Sequence, residues 1–195
     1  MKIWLANKPK CGSGKKFPFI EDFITIDCSY DSRGHIGIYE AADLTPERLG
    51  PVYSSDGLKS LNLFNYMEYS KIFYKYGHDD NGPTDIWREW RKVGFTKKKR
   101  FEHHNTFQYY YDDKKYKRRE MRDVFKSKLR ELYKTSPAFA ELKKIFSESN
   151  LLLIDYDIPD ICNGFLFKKD LLIEKIEYKY SHLNVLAELL LSSSL

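Results

Sequence analysis

The chain has 195 residues, a hydrophobic fraction of 42% and a formal net charge of +5, which together are typical of a single domain over residues 1–195. Its three cysteines are widely spaced and form no CxxC or Cys/His cluster, which argues against a disulfide framework and predicts no metal site and no cofactor. The apolar runs are too short for a signal peptide or a membrane span, so the sequence predicts a cytoplasmic protein with no membrane association.

The N-terminal part of the chain has the pattern of short strands. Residues 2–6 alternate weakly and are predicted to form an edge strand, and the β-branched run 23–28 is predicted to form a second strand. Residues 36–39 are expected to pair back as a short third strand. Thr45 followed by Pro46 resembles an N-cap with proline at the first helical position, so a brief helix is predicted there.

The best-bounded helix of the first half is predicted over residues 60–76, with Gly77 as its C-cap. At 3.6 residues per turn, Tyr66 falls on an aromatic stripe that is expected to face the core. Glu68 and Lys71 fall on a second stripe. This pair has two interpretations: an i,i+3 ion pair at the surface, or two polar groups that face a pocket.

A second helix is predicted to begin after Thr84, which is a good N-cap, and to end at Gly94. Trp87, Trp90 and Arg91 share one face of this helix.

A basic region follows. Residues 107–111 are compatible with either a strand or an aromatic loop. The longest helix is predicted over residues 114–134, with Phe125 and Leu129 on its one apolar stripe. Ten of these residues are Lys or Arg, and tyrosines lie nearby, so nucleic acid is a possible partner. No recognised nucleic-acid-binding signature accompanies them.

The C-terminal part is predicted to contain a helix over residues 137–147, a buried strand over 151–154 and a final helix capped by Ser181. Asp155 and Asp157 follow the strand, where active-site groups of mixed α/β proteins often lie and where strand-ending residues are also common. His182 lies in the first turn of the last helix. It either binds an anion there or merely fills that turn.

The predicted helix over residues 60–76, which we call the central helix, resembles that of the NADAR superfamily, the YbiA-like N-glycosidases, which has the form E-x-x-[YW]-Q-x-x-K after an upstream serine. Lys71 matches the lysine, and Ser60 matches the upstream serine. Glu68 stands at the glutamine position, Met67 at the aromatic position and Phe64 at the acidic position. The NADAR-like region is assigned to approximately residues 50–195.

Two further segments resemble elements of the same superfamily. They are W-x-x-W-R at 87–91 and E-x-R at 120–122. The resemblance implies a hydrolase of N-glycosidic bonds in ADP-ribose-type or nucleotide substrates. In this hypothesis Glu68 activates a water or stabilises an oxocarbenium-like ribose centre, and Lys71 is the second catalytic residue. The substrate-binding residues are then predicted to be Tyr66, Trp87, Trp90, Arg91, Arg122 and His182.

The predicted elements together indicate an α+β protein: a single, mainly helical domain with a few short strands. The alternative function is that of a non-enzymatic protein that binds nucleic acid or a nucleotide through the basic helix 114–134. The expected partners are therefore an ADP-ribose-type or nucleotide ligand, or nucleic acid; the net charge of +5 permits a phosphate-bearing partner without requiring one.

Overall fold

The computed structural model describes residues 1–9, 18–32, 38–72, 77–79, 82–97, 108–156, 165–167 and 181–193. These residues contain both helices and strands, which confirms the predicted α+β class. They belong to two compact units. Unit 1 comprises Met1–Thr45 and Arg130–Leu195, and unit 2 comprises Pro46–Leu129. A single domain over the whole chain stays a prediction.

Within the described residues there are twelve strands and five α-helices. The strands are β1 (Ile3–Asn7), β2 (Phe23–Asp27), β3 (Ile38–Glu40), β4 (Val52–Tyr53), β5 (Lys59–Ser60), β6 (Lys71–Ile72), β7 (His78–Asp79), β8 (Gly82–Pro83), β9 (Gln108–Tyr111), β10 (Lys114–Lys117), β11 (Asn150–Asp155) and β12 (Phe165–Phe167). The helices are α1 (Leu63–Glu68), α2 (Asp85–Phe95), α3 (Arg118–Thr135), α4 (Pro137–Glu148) and α5 (His182–Ser192).

Unit 1 is built on a five-stranded sheet in the order β12-β1-β11-β2-β3. Four of its strands are parallel, and β12 is antiparallel to β1. Parallel strands are usually covered on both faces, and the segment 151–154 is completely buried, as its continuous apolar run predicts. Ile3 lies opposite Leu151, and Ile26 lies opposite Leu153, so the three central strands form one apolar layer.

Two strand predictions are wrong in their pairing. The strand near the N-terminus is not at an edge, because β1 lies between β12 and β11. The third strand does not pair back as a hairpin, because β3 is parallel to β2. In both cases the partner is distant in sequence, and local patterning carries no information about distant partners.

The predicted helix at Thr45 is also wrong. Residues 42–44 form a single 3-10 turn instead, and Thr45 follows it. The Thr45 hydroxyl donates a hydrogen bond of 2.8 Å to the Ala42 carbonyl oxygen, so this side chain closes the preceding turn and does not cap a following helix.

The central helix is shorter than predicted. Helix α1 ends at Glu68, and Lys71 begins strand β6. Lys71 pairs with Tyr109 of β9, and the Tyr110 amide donates a hydrogen bond of 2.8 Å to the Ser70 carbonyl oxygen. Pairing with β9 therefore replaces the helical hydrogen bonds that these residues would otherwise make. The rest of the predicted helix, residues 73–76, lies outside the described residues.

Helix α2 confirms the predicted start. The Thr84 side chain accepts a hydrogen bond of 3.2 Å from the Trp87 amide. The helix continues through Gly94 to Phe95, so glycine is not its terminator. A Cβ atom at Gly94 would collide with the ring of Tyr69, and close packing is therefore the reason for this glycine.

The basic region divides into a hairpin and a helix. Residues 108–111 form a strand, which resolves the open choice at 107–111. The first four residues of the predicted long helix form β10, which pairs with β9 through a two-residue turn. Asp112 and Asp113 have φ values of 46° and 56°, which is typical of such hairpin turns. Helix α3 therefore begins at Arg118.

The remaining C-terminal predictions are confirmed in the described residues. Helix α4 begins at Pro137, and the Ser181 hydroxyl accepts a hydrogen bond of 3.2 Å from the Leu183 amide at the start of α5. No helix among the described residues combines the length and the apolar character that crossing a membrane requires.

Helix α3 yields a test of its predicted core face. Phe125 and Leu129 are 4% and 0% exposed, and each substitution to Ala is expected to lower the free energy of unfolding by roughly 2–5 kcal/mol. Urea titration measures this loss. Val93→Ala is the control, because Val93 is 51% exposed and its truncation should change stability by less than about 0.5 kcal/mol. Losses near zero at both core positions would contradict the assigned face.

Candidate functional site

Helix α2 places Trp87 and Arg91 one turn apart on its buried side. Trp87 is 3% exposed, and its indole Nε1 donates a hydrogen bond of 2.9 Å to the Lys71 carbonyl oxygen. The Arg91 guanidinium lies over two aromatic rings, 5.4 Å from the Trp87 centroid and 4.7 Å from the Phe95 centroid. Contact with these ring faces stabilises the cation and holds it in one orientation.

The charge of Arg91 is balanced by Asp56, which lies in the turn between β4 and β5. Arg91 Nη1 donates to Asp56 Oδ2, and the Ser54 hydroxyl donates to Asp56 Oδ1. Burial raises the pKa of Asp56, but the hydrogen bonds from Ser54 and Arg91 outweigh this effect and hold the pKa below its ordinary value. Asp56 is therefore ionised at neutral pH.

Arg91 is not fully paired by Asp56. Its side chain is 8% exposed, and its Nε–H is buried with no hydrogen-bond partner among the residues that the structure describes. A buried cation in a folded protein rarely has an N–H group without a hydrogen-bond partner. A ligand that binds at this position would explain it.

Arg91, Trp87 and Asp56 line a cavity of about 330 Å³, which we call the α2 cavity. Tyr110 contributes a ring that packs edge-on against Trp87 at 5.5 Å, and its hydroxyl donates a 3.2 Å hydrogen bond to Asp113. The charged residues that line the cavity are the basic Arg88, Arg91 and Lys92 and the acidic Asp56, Glu89 and Asp113.

Glu68 and Lys71 form an ion pair. Lys71 Nζ donates to both carboxylate oxygens of Glu68, at 2.6 and 2.7 Å, and the two side chains are 18% and 15% exposed. The structure thus supports the i,i+3 ion pair, although Lys71 belongs to a strand. Neither residue lines the α2 cavity; the hydrogen bond from Trp87 to the Lys71 carbonyl joins the pair to the cavity wall.

The other predicted substrate-binding residues do not line the α2 cavity. Tyr66 is 1% exposed and packs against Phe95 in the core of unit 2. Trp90 is half-buried and packs on Tyr69 at 4.7 Å. Arg122 is half-buried on α3, and His182 belongs to unit 1.

A second group of polar side chains lies in unit 1, where the parallel strands β1, β2 and β11 end. We call it the sheet-edge cluster: Lys8, Asp27, Ser29, Asp31 and Tyr156. The carboxyl ends of parallel strands meet at one edge of a sheet, and open α/β sheets usually bind their ligands there. Backbone hydrogen bonds continue just past the strands, from the Lys8 amide to the Asp155 carbonyl oxygen and from the Cys28 amide to the Ile154 carbonyl oxygen.

The centre of the sheet-edge cluster is a buried ion pair. Lys8 Nζ lies 2.8 Å from Asp27 Oδ2 and donates a 2.7 Å hydrogen bond to the Ser29 hydroxyl. That hydroxyl donates in turn to Asp27 Oδ1 at 2.6 Å. The Lys8 and Asp27 side chains are 5% and 0% exposed, so this pair is shielded from solvent.

Asp31 and Tyr156 form the outer part of the cluster. The Tyr156 hydroxyl donates to Asp31 Oδ2 at 3.1 Å, and Lys8 Nζ lies 4.8 Å from the Tyr156 ring centroid. Burial raises the pKa of Asp31, but the hydrogen bond from Tyr156 and the charge of Lys8 outweigh this and lower it. Burial lowers the pKa of Lys8, yet the hydrogen bond and charge of Asp27 raise it overall.

The same edge brings together two residues that the sequence singled out. His182 Nδ1 lies 3.6 Å from Asp155 Oδ2, within ion-pair distance when the imidazole is protonated. Asp157, the other candidate carboxylate, lies outside the described residues. Sequence reasoning missed Lys8, Asp27 and Ser29, although the signal was present: each is a polar residue at or just after the end of a predicted strand.

No group of three or more His, Cys, Asp or Glu side chains that could hold a metal ion occurs among the described residues. Comparisons of the chain with protein-family models, with curated proteins and with solved structures found no match. The resemblance to the NADAR superfamily therefore stays a prediction.

The contribution of the buried Lys8–Asp27 ion pair to stability can be tested by substitution. Lys8→Met and Asp27→Leu are each expected to lower the free energy of unfolding by about 3–5 kcal/mol, because each leaves one charge buried without its partner. The double variant should lose much less stability than the sum of the two single losses. Urea titrations of the unmodified protein, both single variants and the double variant measure these free energies of unfolding.

The exposed ion pair between Arg88 and Asp85 is the matched control. Arg88 Nη1 lies 2.9 Å from Asp85 Oδ1, and the two side chains are 61% and 95% exposed. The same cycle at that pair should yield a coupling below about 1 kcal/mol. Equal coupling at both pairs would show that the Lys8–Asp27 pair behaves as a surface contact.

Proposed function

We propose that the α2 cavity binds a nucleotide or ADP-ribose-type ligand and that the chain hydrolyses its N-glycosidic bond. The observation that carries the ligand part of the proposal is Arg91. A buried guanidinium that lies over two aromatic rings and is only partly paired by Asp56 is suited to donate hydrogen bonds from its remaining N–H groups to a phosphate oxygen.

The size of the α2 cavity supports a small ligand. Sites for small molecules commonly have volumes of about 300–1,000 Å³, and this cavity, at about 330 Å³, lies at the lower end. It therefore suits one nucleotide unit better than a complete dinucleotide. Trp87 is too deeply buried for its ring face to stack on a base, so Tyr110, which is half-buried, is the better aromatic partner.

Hydrolysis of an N-glycosidic bond is favoured by a carboxylate beside the ribose, because positive charge develops on the sugar in the transition state. Two carboxylates are candidates in this proposal. Glu68 is the one that the family resemblance implies, although it does not line the α2 cavity and Lys71 already donates to both its oxygens. Asp113 lines the α2 cavity and is exposed.

Substitution of Glu68 tests the enzymatic part. Glu68→Gln keeps the shape of the side chain and removes its charge, so it is expected to lower turnover of an ADP-ribose-linked substrate by roughly 100-fold or more if Glu68 is the catalytic carboxylate. Release of free base, followed by chromatography, measures turnover. Asp85→Asn is the control, because Asp85 is exposed and does not line the α2 cavity.

The outcomes separate the candidates. Full activity of Glu68→Gln together with loss of activity in Asp113→Asn would transfer the role to Asp113. If the unmodified protein neither binds nor cleaves any ADP-ribose derivative, the proposed hydrolase function is wrong.

The second candidate function is binding of nucleic acid. The candidate surface for nucleic acid lies on β10 and the start of α3. Strand β10 is at the edge of its sheet, and its lysines are exposed. The exposed basic residues of this surface are Lys114, Lys115, Lys117, Arg118 and Arg119. Lysines on an edge strand also prevent strand pairing between molecules, which is the simpler explanation.

Salt dependence distinguishes these explanations. If the surface binds a phosphate backbone, the affinity for a single-stranded oligonucleotide should fall steeply with salt, through release of counterions. The triple variant Lys115→Gln, Lys117→Gln, Arg118→Gln should have a shallower slope in fluorescence anisotropy. The triple variant Lys2→Gln, Lys143→Gln, Lys144→Gln removes the same charge from exposed positions outside residues 114–134 and should leave the slope unchanged. Absence of binding at low salt would eliminate this function.

A further inference from the structure

We propose that Asp56 is an internal competitor for the ligand: its carboxylate occupies the position on Arg91 that a phosphate group of the ligand takes when it binds. This inference rests on the proposed binding of a nucleotide-type ligand in the α2 cavity. It adds a specificity device, because a ligand without an anionic group cannot displace a carboxylate from a guanidinium.

Arg91 is the fixed partner of this ion pair. Its guanidinium lies over the rings of Trp87 and Phe95, and its side chain is 8% exposed. A buried cation needs an anion beside it, because an unpaired charge in the interior is costly. Asp56 is the one carboxylate that pairs with Arg91 among the described residues.

Asp56 is the partner that can move away. It lies in the turn between β4 and β5, each of which has two residues, and its side chain is 49% exposed. Its carboxylate also accepts hydrogen bonds from the Ser54 hydroxyl and, at 3.4 Å, from the Leu58 amide. When it leaves Arg91, these local donors and solvent still satisfy it.

Asp56 satisfies only part of the hydrogen-bonding capacity of Arg91, so a phosphate group can make more hydrogen bonds to the guanidinium than Asp56 does. Asp56 engages Nη1 of Arg91, whereas Nε is buried without a partner among the described residues. A phosphate group presents several acceptor oxygens and can engage two donors of one guanidinium at once. Exchange of Asp56 for phosphate therefore keeps the buried charge neutralised and adds a hydrogen bond.

Competition of this kind reduces the apparent affinity of the ligand. The ligand binds only the fraction of molecules in which Arg91 is accessible, so the dissociation constant is raised by the reciprocal of that fraction. Removal of the Asp56 charge removes this penalty for an anionic ligand and leaves a neutral ligand unaffected.

The test compares AMP with adenosine, since the two share base and ribose and differ by the phosphate. Isothermal titration calorimetry at constant ionic strength measures both dissociation constants for the unmodified protein and for Asp56→Asn. We expect Asp56→Asn to bind AMP about 10-fold or more tightly. A gain of this size means that Arg91 is accessible in roughly one tenth or less of the unmodified molecules. Its affinity for adenosine should not change.

Asp85→Asn is the matched control. Asp85 pairs with Arg88, another arginine that lines the α2 cavity, and this substitution makes the same change in net charge without touching Arg91. It should change AMP affinity by less than about twofold, because exposed ion pairs are weak. An equal gain in both variants would show that general electrostatics, and not competition at Arg91, sets the affinity.

Other outcomes separate this inference from the proposed function. If the unmodified protein binds AMP and Asp56→Asn binds it equally or more weakly, Asp56 is not a competitor and the proposed binding site remains. If neither protein binds AMP, the proposed function and this inference are both wrong. Should Asp56→Asn fail to fold, Asp56→Ser removes the same charge and carries the same expectation.

Discussion

The insertion of β11 between β1 and β2 is the constraint on which unit 1 depends. Residues 150–155 come from the C-terminal part of the chain, yet they form the centre of a sheet whose neighbours lie within the first 27 residues. Its buried leucines and isoleucine complete the apolar layer, and its parallel direction aligns three strand ends at one edge. Lys8, Asp27 and Tyr156 meet only because this strand lies between the other two.

Two buried cations among the described residues, Lys8 and Arg91, are neutralised in different ways. In the sheet-edge cluster the buried ammonium group of Lys8 has two aspartates within 3.4 Å, so the cation is fully compensated by the protein. In the α2 cavity the buried guanidinium of Arg91 has, among the described residues, one aspartate and two aromatic faces as partners, and its Nε–H has none. In the first arrangement the charge is neutralised within the protein, whereas the second leaves a donor of the cation available for a ligand.

Unit 2 owes its functional geometry to close aromatic packing. Gly94 lets the Tyr69 ring lie against α2, and the β9 strand brings Tyr110 against Trp87 and Tyr109 against Phe125. This packing interrupts the central helix at Glu68 and turns Lys71 into a strand residue. The hydrogen bond from Trp87 to the Lys71 carbonyl follows from that interruption, because a continuing helix would use this carbonyl for its own backbone hydrogen bond.

The sequence by itself determined the elements whose signals are local. The caps at Thr84 and Ser181, the first-turn Pro137 and the apolar run 151–154 each act within a few residues, and each is confirmed. Tertiary structure decided what depends on distant partners: the parallel pairing of β3, the interior place of β1, the early end of α1 and the strand at 114–117. It also decided the sites, because the contact of Arg91 with Asp56 and that of Lys8 with Asp27 join residues 35 and 19 positions apart, and no periodicity encodes such separations.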